Sequence, residues 1–429
     1  MRTLLNLLKP RAPKAIARRG APFLIARSSA EHEPTAGLII IDIELGAGEA
    51  AEGPAELVAT AAWAAPGVAA GTYRRAVELG PVQRTWVALH GHLLADGPAT
   101  VTVAVVRDGT TLTERRLTVK VRNEGRLAAA VAESLKATGV PLIVDVLDAA
   151  AYDYDDPRLT AWFDREPEAV EAHLAELGRT GRAGPEETAA LRQFVERGFL
   201  VLEGLIPPDE VARLNAALDE AVARKIEGYE WGSSQRIRNL HLEFPAVRDL
   251  WLNPKVLKLL NLIFDAPAAP CQSLSYVFGS QQDHHQDTIH LTPFPAGMMC
   301  GVWTALEDVQ EGSGELAVYP GSHRLPRVYM NSVGLPKVQD EDWDAFGRTV
   351  IPRWSALLAE KGLTAEPYRP KAGTVLIWHE NLMHAGSVRL HPEKSRRSIV
   401  CHYFARGAVA FYDSSGMPGI TWQGPVEAR

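Results

Sequence analysis

After Pro270 the chain becomes a succession of short β-prone runs cut apart by glycine and proline. Residues 272–278, 298–306, 315–319, 374–378 and 398–404 are each of strand length and rich in branched or aromatic side chains. None is long enough to hold a stable helix, and Gly and Pro punctuate the intervals heavily. Such a series predicts antiparallel strands closed into a barrel or stacked as two sheets.

A second strand-rich stretch lies near the other end. Residues 38–41, 85–89 and 101–105 carry the same composition. Asp108-Gly109 falls between the runs 100–106 and 112–121. An Asp-Gly pair flanked by such runs is a strong hairpin signal, because both turn residues must take positive φ. This region predicts a small β-sandwich.

Between the two, residues 127–138 and 167–177 have helical patterning, with a short strand expected at 141–146. Thr180 to Pro185 is linker-like. A helix over 186–197 and a strand over 198–202 follow. Pro207-Pro208-Asp209 opens another helix, with proline in its first turn and acids behind it. Val211, Leu214, Leu218 and Val222 give that helix an apolar stripe. The expectation is an α+β multidomain chain: a basic tail (1–34), a β-sandwich (35–122), a helical connecting region (123–184) and a barrel domain (185–429).

Composition excludes several classes. The net charge of −7 argues against a nucleic-acid binder. Three cysteines (Cys271, Cys300, Cys401) form no disulfide framework, as expected of a cytoplasmic protein, and the two in barrel strands read as small core residues. No apolar run approaches the ~20 residues of a membrane span. The first 30 residues hold Arg2, Lys9, Arg11, Lys14, Arg18, Arg19 and Arg27 with no acid, behind a few leucines. That segment is expected to be a solvated tail, with peripheral contact to an anionic membrane as the alternative.

The chemistry concentrates in the barrel. His285-Gln286-Asp287 puts an imidazole and a carboxylate at i and i+2, one face of a strand. A distant histidine would complete one triangular face of an octahedron and leave three positions open. Two histidines and one carboxylate are the signature donor set of non-haem Fe(II) oxygenases. His379 and His384, after the run 374–378, both qualify by residue type. Arg396 and Arg397 then open the last strand. There Arg396, Ser398, Val400 and His402 share one face, and an arginine can hold a carboxylate through two parallel hydrogen bonds.

From Phe194 to Phe404, roughly half the chain, the sequence resembles the phytanoyl-CoA dioxygenase family of Fe(II)/2-oxoglutarate oxygenases. The resemblance rests on ordered motifs. They are the opening Gly198 to Ile206, His285-Gln286-Asp287, Val302 to Asp308, Gly312-Ser313-Gly314-Glu315-Leu316, Pro320-Gly321-Ser322-His323, Ala372-Gly373-Thr374, His384 and Arg396-Arg397-Ser398.

The resemblance implies a double-stranded β-helix of the jelly-roll, cupin-like kind. It implies Fe(II) on His285, Asp287 and His384, with 2-oxoglutarate and O2 as cosubstrates. It also implies hydroxylation with release of succinate and carbon dioxide. The family places its distal ligand after a short turn, which selects His384 over His379. Related halogenating enzymes lack the carboxylate ligand, so Asp287 points to hydroxylation.

One departure stands out. The family often has Ser two residues past the distal histidine, whereas here Gly386 precedes Ser387. Arg396 is preferred over Arg397 for the far carboxylate of 2-oxoglutarate, with Tyr276, Trp303 and Ser398 around it. His284 is expected to face away, and His323 to stabilise its loop. Arg236, Arg238 and Arg324 are candidates to receive an anionic group of a small, lipid-linked or sugar-linked substrate. Arg327, Arg389 and Lys394 are further basic residues expected around the mouth. Residues 339–364 read as an insertion forming part of a lid. Two other functions fit the residues: an inactive barrel with the first sandwich as a binding module, and a cupin-like Zn or Mn enzyme.

Overall fold

The computed structural model describes residues 21–47, 52–62, 71–232 and 236–424. Most of the expected basic tail, residues 1–20, lies outside these. The described chain divides into two compact units. One runs to Asp153 and includes 338–342 and 416–418, and the other takes the remainder.

The first unit has two antiparallel four-stranded sheets. Phe23–Arg27, Leu38–Gly46, Gln83–His90 and Ile143–Val144 form one in that order. Gly71–Leu79, Gly53–Ala62, Gly97–Arg107 and Thr110–Val121 form the other. Alternate residues of both sheets enter one core: Ile39, Ile41, Ile43 and Leu45 meet Leu57, Val101, Val103 and Val119. Each such side chain withdrawn from water contributes roughly 1.5–3 kcal/mol. The Asp108-Gly109 hairpin forms with φ of 48° and 77°, both positive, between the paired residues Arg107 and Thr110. Gly109 relieves the strain that a Cβ would bring to the second of these positions.

Two expected boundaries move. Phe23–Arg27 pairs with Leu38–Gly46, so the end of the basic segment is a strand. Ile143–Val144 pairs with Ala88 and Leu89, so residues to Asp153 group with the first unit and 154–184 with the second. The expected strand over 141–146 shrinks to those two residues.

In the second unit, five helices start on a proline: Pro167–Arg179, Pro185–Arg197, Pro208–Ala223, Pro245–Trp251 and Pro254–Phe264. Proline suits that place because its missing N–H has no intrahelical acceptor there and its φ is already helical. Val211, Leu214 and Leu218 of the expected stripe are buried, while Val222 is half-buried. A six-stranded antiparallel sheet runs in the order Ile237–Arg238, Ala268–Tyr276, Ser398–Ala405, Met299–Ala305, Val375–His379, Phe199–Leu202. A smaller sheet joins Glu366–Tyr368, Leu316–Val318 and His384–Gly386. Tyr276, Leu274, Trp303, Leu376, Trp378 and Val400 of the larger sheet share a core with Leu316 and Val318 of the smaller.

Pro270, expected to precede the first barrel strand, lies inside it. The register slips there, with Pro270 opposite Tyr403 and Gln272 opposite His402, so Cys271 is the extra residue of a bulge. A bulge is one of the few strand positions where a residue lacking an N–H costs little.

Candidate metal centre

His285 and Asp287 do not lie on a regular strand as expected. His285 forms an isolated antiparallel bridge with His384, and Asp287 begins the short 3-10 helix Asp287–Ile289. Gln286 between them is extended (φ −96°, ψ 135°), which keeps the two side chains on one side. His285 Nε2 lies 3.7 Å from Asp287 Oδ1, and His384 Nε2 lies 3.9 Å from the same oxygen. One ligand atom from each of these buried residues falls within 4.8 Å of the others.

Both imidazoles are oriented alike. His285 Nδ1 is 2.7 Å from the Asp283 carbonyl, and His384 Nδ1 is 3.0 Å from the Leu382 carbonyl. A carbonyl only accepts, so each Nδ1 carries the proton and each Nε2 presents a lone pair. Burial, reinforced by neighbouring His384, pushes the His285 pKa down to about 3, so its ring is neutral. Burial alone would raise the Asp287 carboxyl, but His384, His402 and His285 outweigh it and hold Asp287 far below the usual carboxylate range. Two imidazole nitrogens and one carboxylate oxygen converge, the donor types that a divalent cation takes.

Asp287 is itself held. Trp378 Nε1 donates to its Oδ2 at 2.8 Å, and His402 Nε2 lies 3.7 Å from that oxygen. Oδ1 is thereby left for the histidines. Trp378 reaches Asp287 by lying across Gly301, its partner on the neighbouring strand; a Cβ there would sit 2.2 Å from the indole. Gln286, fully buried between the two ligands, accepts from Trp354 Nε1 (3.0 Å) and from Val328 N (3.2 Å). Trp354 belongs to the helix Asp344–Glu360, so the inserted segment packs directly on the ligand-bearing turn.

Arg396 continues the pairing of its strand by donating its backbone N–H to Val277 (2.9 Å). Its side chain is buried, with the guanidinium carbon 5.5 Å from the Tyr276 ring and 5.6 Å from Trp303. No described carboxylate lies within ion-pair distance of it, and Nε has no hydrogen-bond partner. Burial pushes its pKa down to about 10 in spite of Tyr276, Glu307 and Glu315. Ser398 Oγ and Trp303 Nε1 are likewise buried without partners. Buried polar groups are rarely left so, and a cluster of them marks a place where something binds. Arg397 differs: it donates to Asn215 (3.2 Å) and pairs with Asp219 (2.8 Å).

The remaining candidates fall in different places. His379 is fully buried with Nδ1 accepting from Asn381 N (2.9 Å), outside the ligand cluster. His323 Nε2 faces the Val195 carbonyl, to which Arg324 also donates (2.7 Å). His284 meets Ser355 at 2.9 Å. Arg238 is paired with Glu227, and Arg236 is exposed. Trp378, His402, Gln286 and Trp354 were not singled out from sequence. His402 was the accessible one, since it alternates with Arg396 and Ser398 on one strand face.

His285, Asp287 and His384 form a two-histidine, one-carboxylate group that could hold a metal ion, on a β-rich domain. Residues 194–398 match the model of the family described as phytanoyl-CoA dioxygenase (PhyH). Over these residues the chain is similar to that family. The peroxisomal phytanoyl-CoA dioxygenase of Rattus norvegicus is 21% identical over 250 residues, covering 49% of this chain and 66% of the rat protein. Phytanoyl-CoA dioxygenase domain-containing protein 1 of Mus musculus is 26% identical over 266 residues, covering 49% of this chain and 88% of its own. Among solved structures, the non-heme alpha ketoglutarate dependent carbocyclase SnoK from nogalamycin biosynthesis overlays with a TM-score of 0.44 at 20% identity, over 57% of this chain and 95% of its own.

Proposed function

We propose that the second unit is an Fe(II)/2-oxoglutarate-dependent dioxygenase that hydroxylates an unactivated C–H of a small, lipid-linked or sugar-linked substrate. We read its paired sheets as a double-stranded β-helix, and those of the first unit as an accessory β-sandwich. The observation that carries the activity is a buried arginine with no ion-pair partner among the described residues, in line with Ser398, Val400 and His402, whose Nε2 lies 3.7 Å from Asp287. His285, Asp287 and His384 would hold the iron, which when bound supplies oxygen activation coupled to decarboxylation of 2-oxoglutarate to succinate.

The chain's own residues do the rest. Arg396 answers the far carboxylate of 2-oxoglutarate with its planar fork of donors. Tyr276 and Trp303 flank the guanidinium and keep water from it. Ser398, directly across the sheet from Tyr276, offers a hydroxyl beside the same carboxylate. Trp378 fixes which Asp287 oxygen faces the metal. A zinc or manganese enzyme of cupin type would need the triad but leaves Arg396 without a task.

The test is anaerobic reconstitution with Fe(II), followed by 2-oxoglutarate, ascorbate and O2. Succinate should form, and Asp287→Ala should abolish it while leaving the protein folded. Failure to bind iron, or unchanged turnover in Asp287→Ala, rejects the reading.

A further inference from the structure

Beside the triad stands a cluster that no step above uses. The His290 ring centroid is 6.5 Å from that of His285, 5.7 Å from Trp343 and 5.2 Å from Phe346. Trp343 and Phe346 meet edge to face at 5.3 Å. Both come from the inserted segment: Phe346 from the first turn of Asp344–Glu360, Trp343 from the residue before it. Phe346 is buried, whereas Trp343 is 41% exposed. His290 Nδ1 makes one long contact, 3.4 Å to Ser414 Oγ, and among the described residues nothing hydrogen-bonds its Nε2. An exposed indole held in place from behind, next to an imidazole with a spare nitrogen, is a surface made for contact rather than core.

A cation faces the same space. Ile237 pairs with Ser275 and Arg238 with Leu274 at the edge of the six-stranded sheet. Arg236, exposed, is the next residue along that edge, on the side toward Tyr276 and its partner Ser398. Arg238 is neutralised by Glu227, while Arg236 has no ion-pair partner among the described residues. Its charge reaches His290. Arg236 is near enough to act electrostatically on that imidazole. His290 offers a hydrogen-bonding nitrogen, and Arg236 supplies the positive charge.

We propose that Trp343, Phe346 and His290 form the substrate-selecting wall beside the metal triad and that, with Arg236, they take a molecule with a flat apolar body and an anionic group. This rests on the oxygenase reading for its meaning as a substrate site, but the binding itself does not need turnover. A flat ring stacks on Trp343 at little entropic cost, the acid group meets Arg236, and a polar substituent meets His290 Nε2.

The probe is 2-naphthoate, with the neutral 2-naphthylmethanol as its uncharged counterpart. Both are titrated calorimetrically into full-length protein holding Fe(II) and saturating 2-oxoglutarate under anaerobic conditions. Trp343→Ala should weaken naphthoate by about tenfold, and Trp343→Phe by about threefold or less. Arg236→Gln should weaken naphthoate by about fivefold and leave naphthylmethanol within about twofold. Melting curves show whether each variant is folded; Trp343 is exposed enough that its truncation opens no cavity.

The proposal is overturned if wild-type protein does not bind naphthoate, if Trp343→Ala binds it unchanged, or if 2-oxoglutarate displaces it, which would place it on Arg396. Succinate formation read in parallel separates the two claims. Turnover without naphthoate binding sinks the wall alone, and binding lost in Trp343→Ala without any turnover sinks the oxygenase alone.

Discussion

His285 and His384 exchange both of their backbone hydrogen bonds, at 3.0 and 3.2 Å. Two proposed metal ligands, about a hundred residues apart in sequence, thereby sit on one rung of an antiparallel pair, where side chains point the same way. Their ring centroids are 4.2 Å apart. The backbone, not the metal, sets the spacing of the two imidazoles.

It follows that the pair acts as a unit. His285→Ala and His384→Ala should each lower Co(II) or Fe(II) affinity by about a hundredfold or more, since three ligands become two. The double variant should be scarcely worse than either single one. Titration followed by the visible absorption of bound Co(II) reads this. Additive losses in the double variant would show that each histidine binds metal independently.

Asn381 holds that geometry from behind. Its Nδ2 donates to the His323 carbonyl (2.9 Å) and the Leu325 carbonyl (2.6 Å), and its Oδ1 accepts from Thr288 Oγ1 (3.1 Å). Thr288 follows one ligand and Asn381 shortly precedes another. Asn381→Ala leaves two buried carbonyls without their partners, for a loss of roughly 2–4 kcal/mol. Metal affinity should fall about 10- to 100-fold, as for other groups that orient ligands. A lowered melting temperature with unchanged metal affinity would reduce Asn381 to a purely structural part.

A pH dependence belongs to the first unit. Asp42 lies opposite Arg27 across two strands, and burial raises its pKa to about 6 against the pull of that arginine. The folded state therefore holds the proton more tightly than the unfolded chain, whose value is 3.8. Its contribution is fully present below about pH 4 and is lost as pH rises through 6. Asp42→Asn should match wild type at pH 4 and exceed it at pH 8. The gain should be about 1–2 kcal/mol after allowing for partial solvent screening. Urea unfolding at the two pH values measures it. An equal difference at both would assign the effect to packing instead.

How far the sequence revealed this site can be argued residue by residue. His285, Asp287 and His384 were accessible because donor type and spacing are dictated by metal chemistry. Asp108-Gly109 was accessible because few residues tolerate positive φ. The strand assigned to His285 and Asp287 was wrong, since a bridge followed by a 3-10 turn gives the same convergence as a strand. Ile143–Val144 was placed in a connecting region because two residues carry no periodicity. Trp378 looked like any core tryptophan, and only the glycine across from it in the fold lets its indole reach Asp287. The partnerless state of Arg396 is a property of everything around it, so no local pattern encodes it.

Adjacent arginines with opposite surroundings give the sharpest test. Arg397 is satisfied by Asp219 and Asn215, whereas Arg396 is buried and its Nε unmet. An unpaired buried cation destabilises the empty protein, and replacing it by an apolar side chain of similar length relieves that cost. Arg396→Met should therefore raise the melting temperature of the protein without 2-oxoglutarate while weakening 2-oxoglutarate binding by about a hundredfold or more. Arg397→Met should do the reverse, with lower stability and 2-oxoglutarate affinity within about threefold of wild type. Calorimetric titration of 2-oxoglutarate and a melting curve for each variant decide the matter. If Arg397→Met were the variant that lost 2-oxoglutarate, the cosubstrate would lie on the other face of the strand.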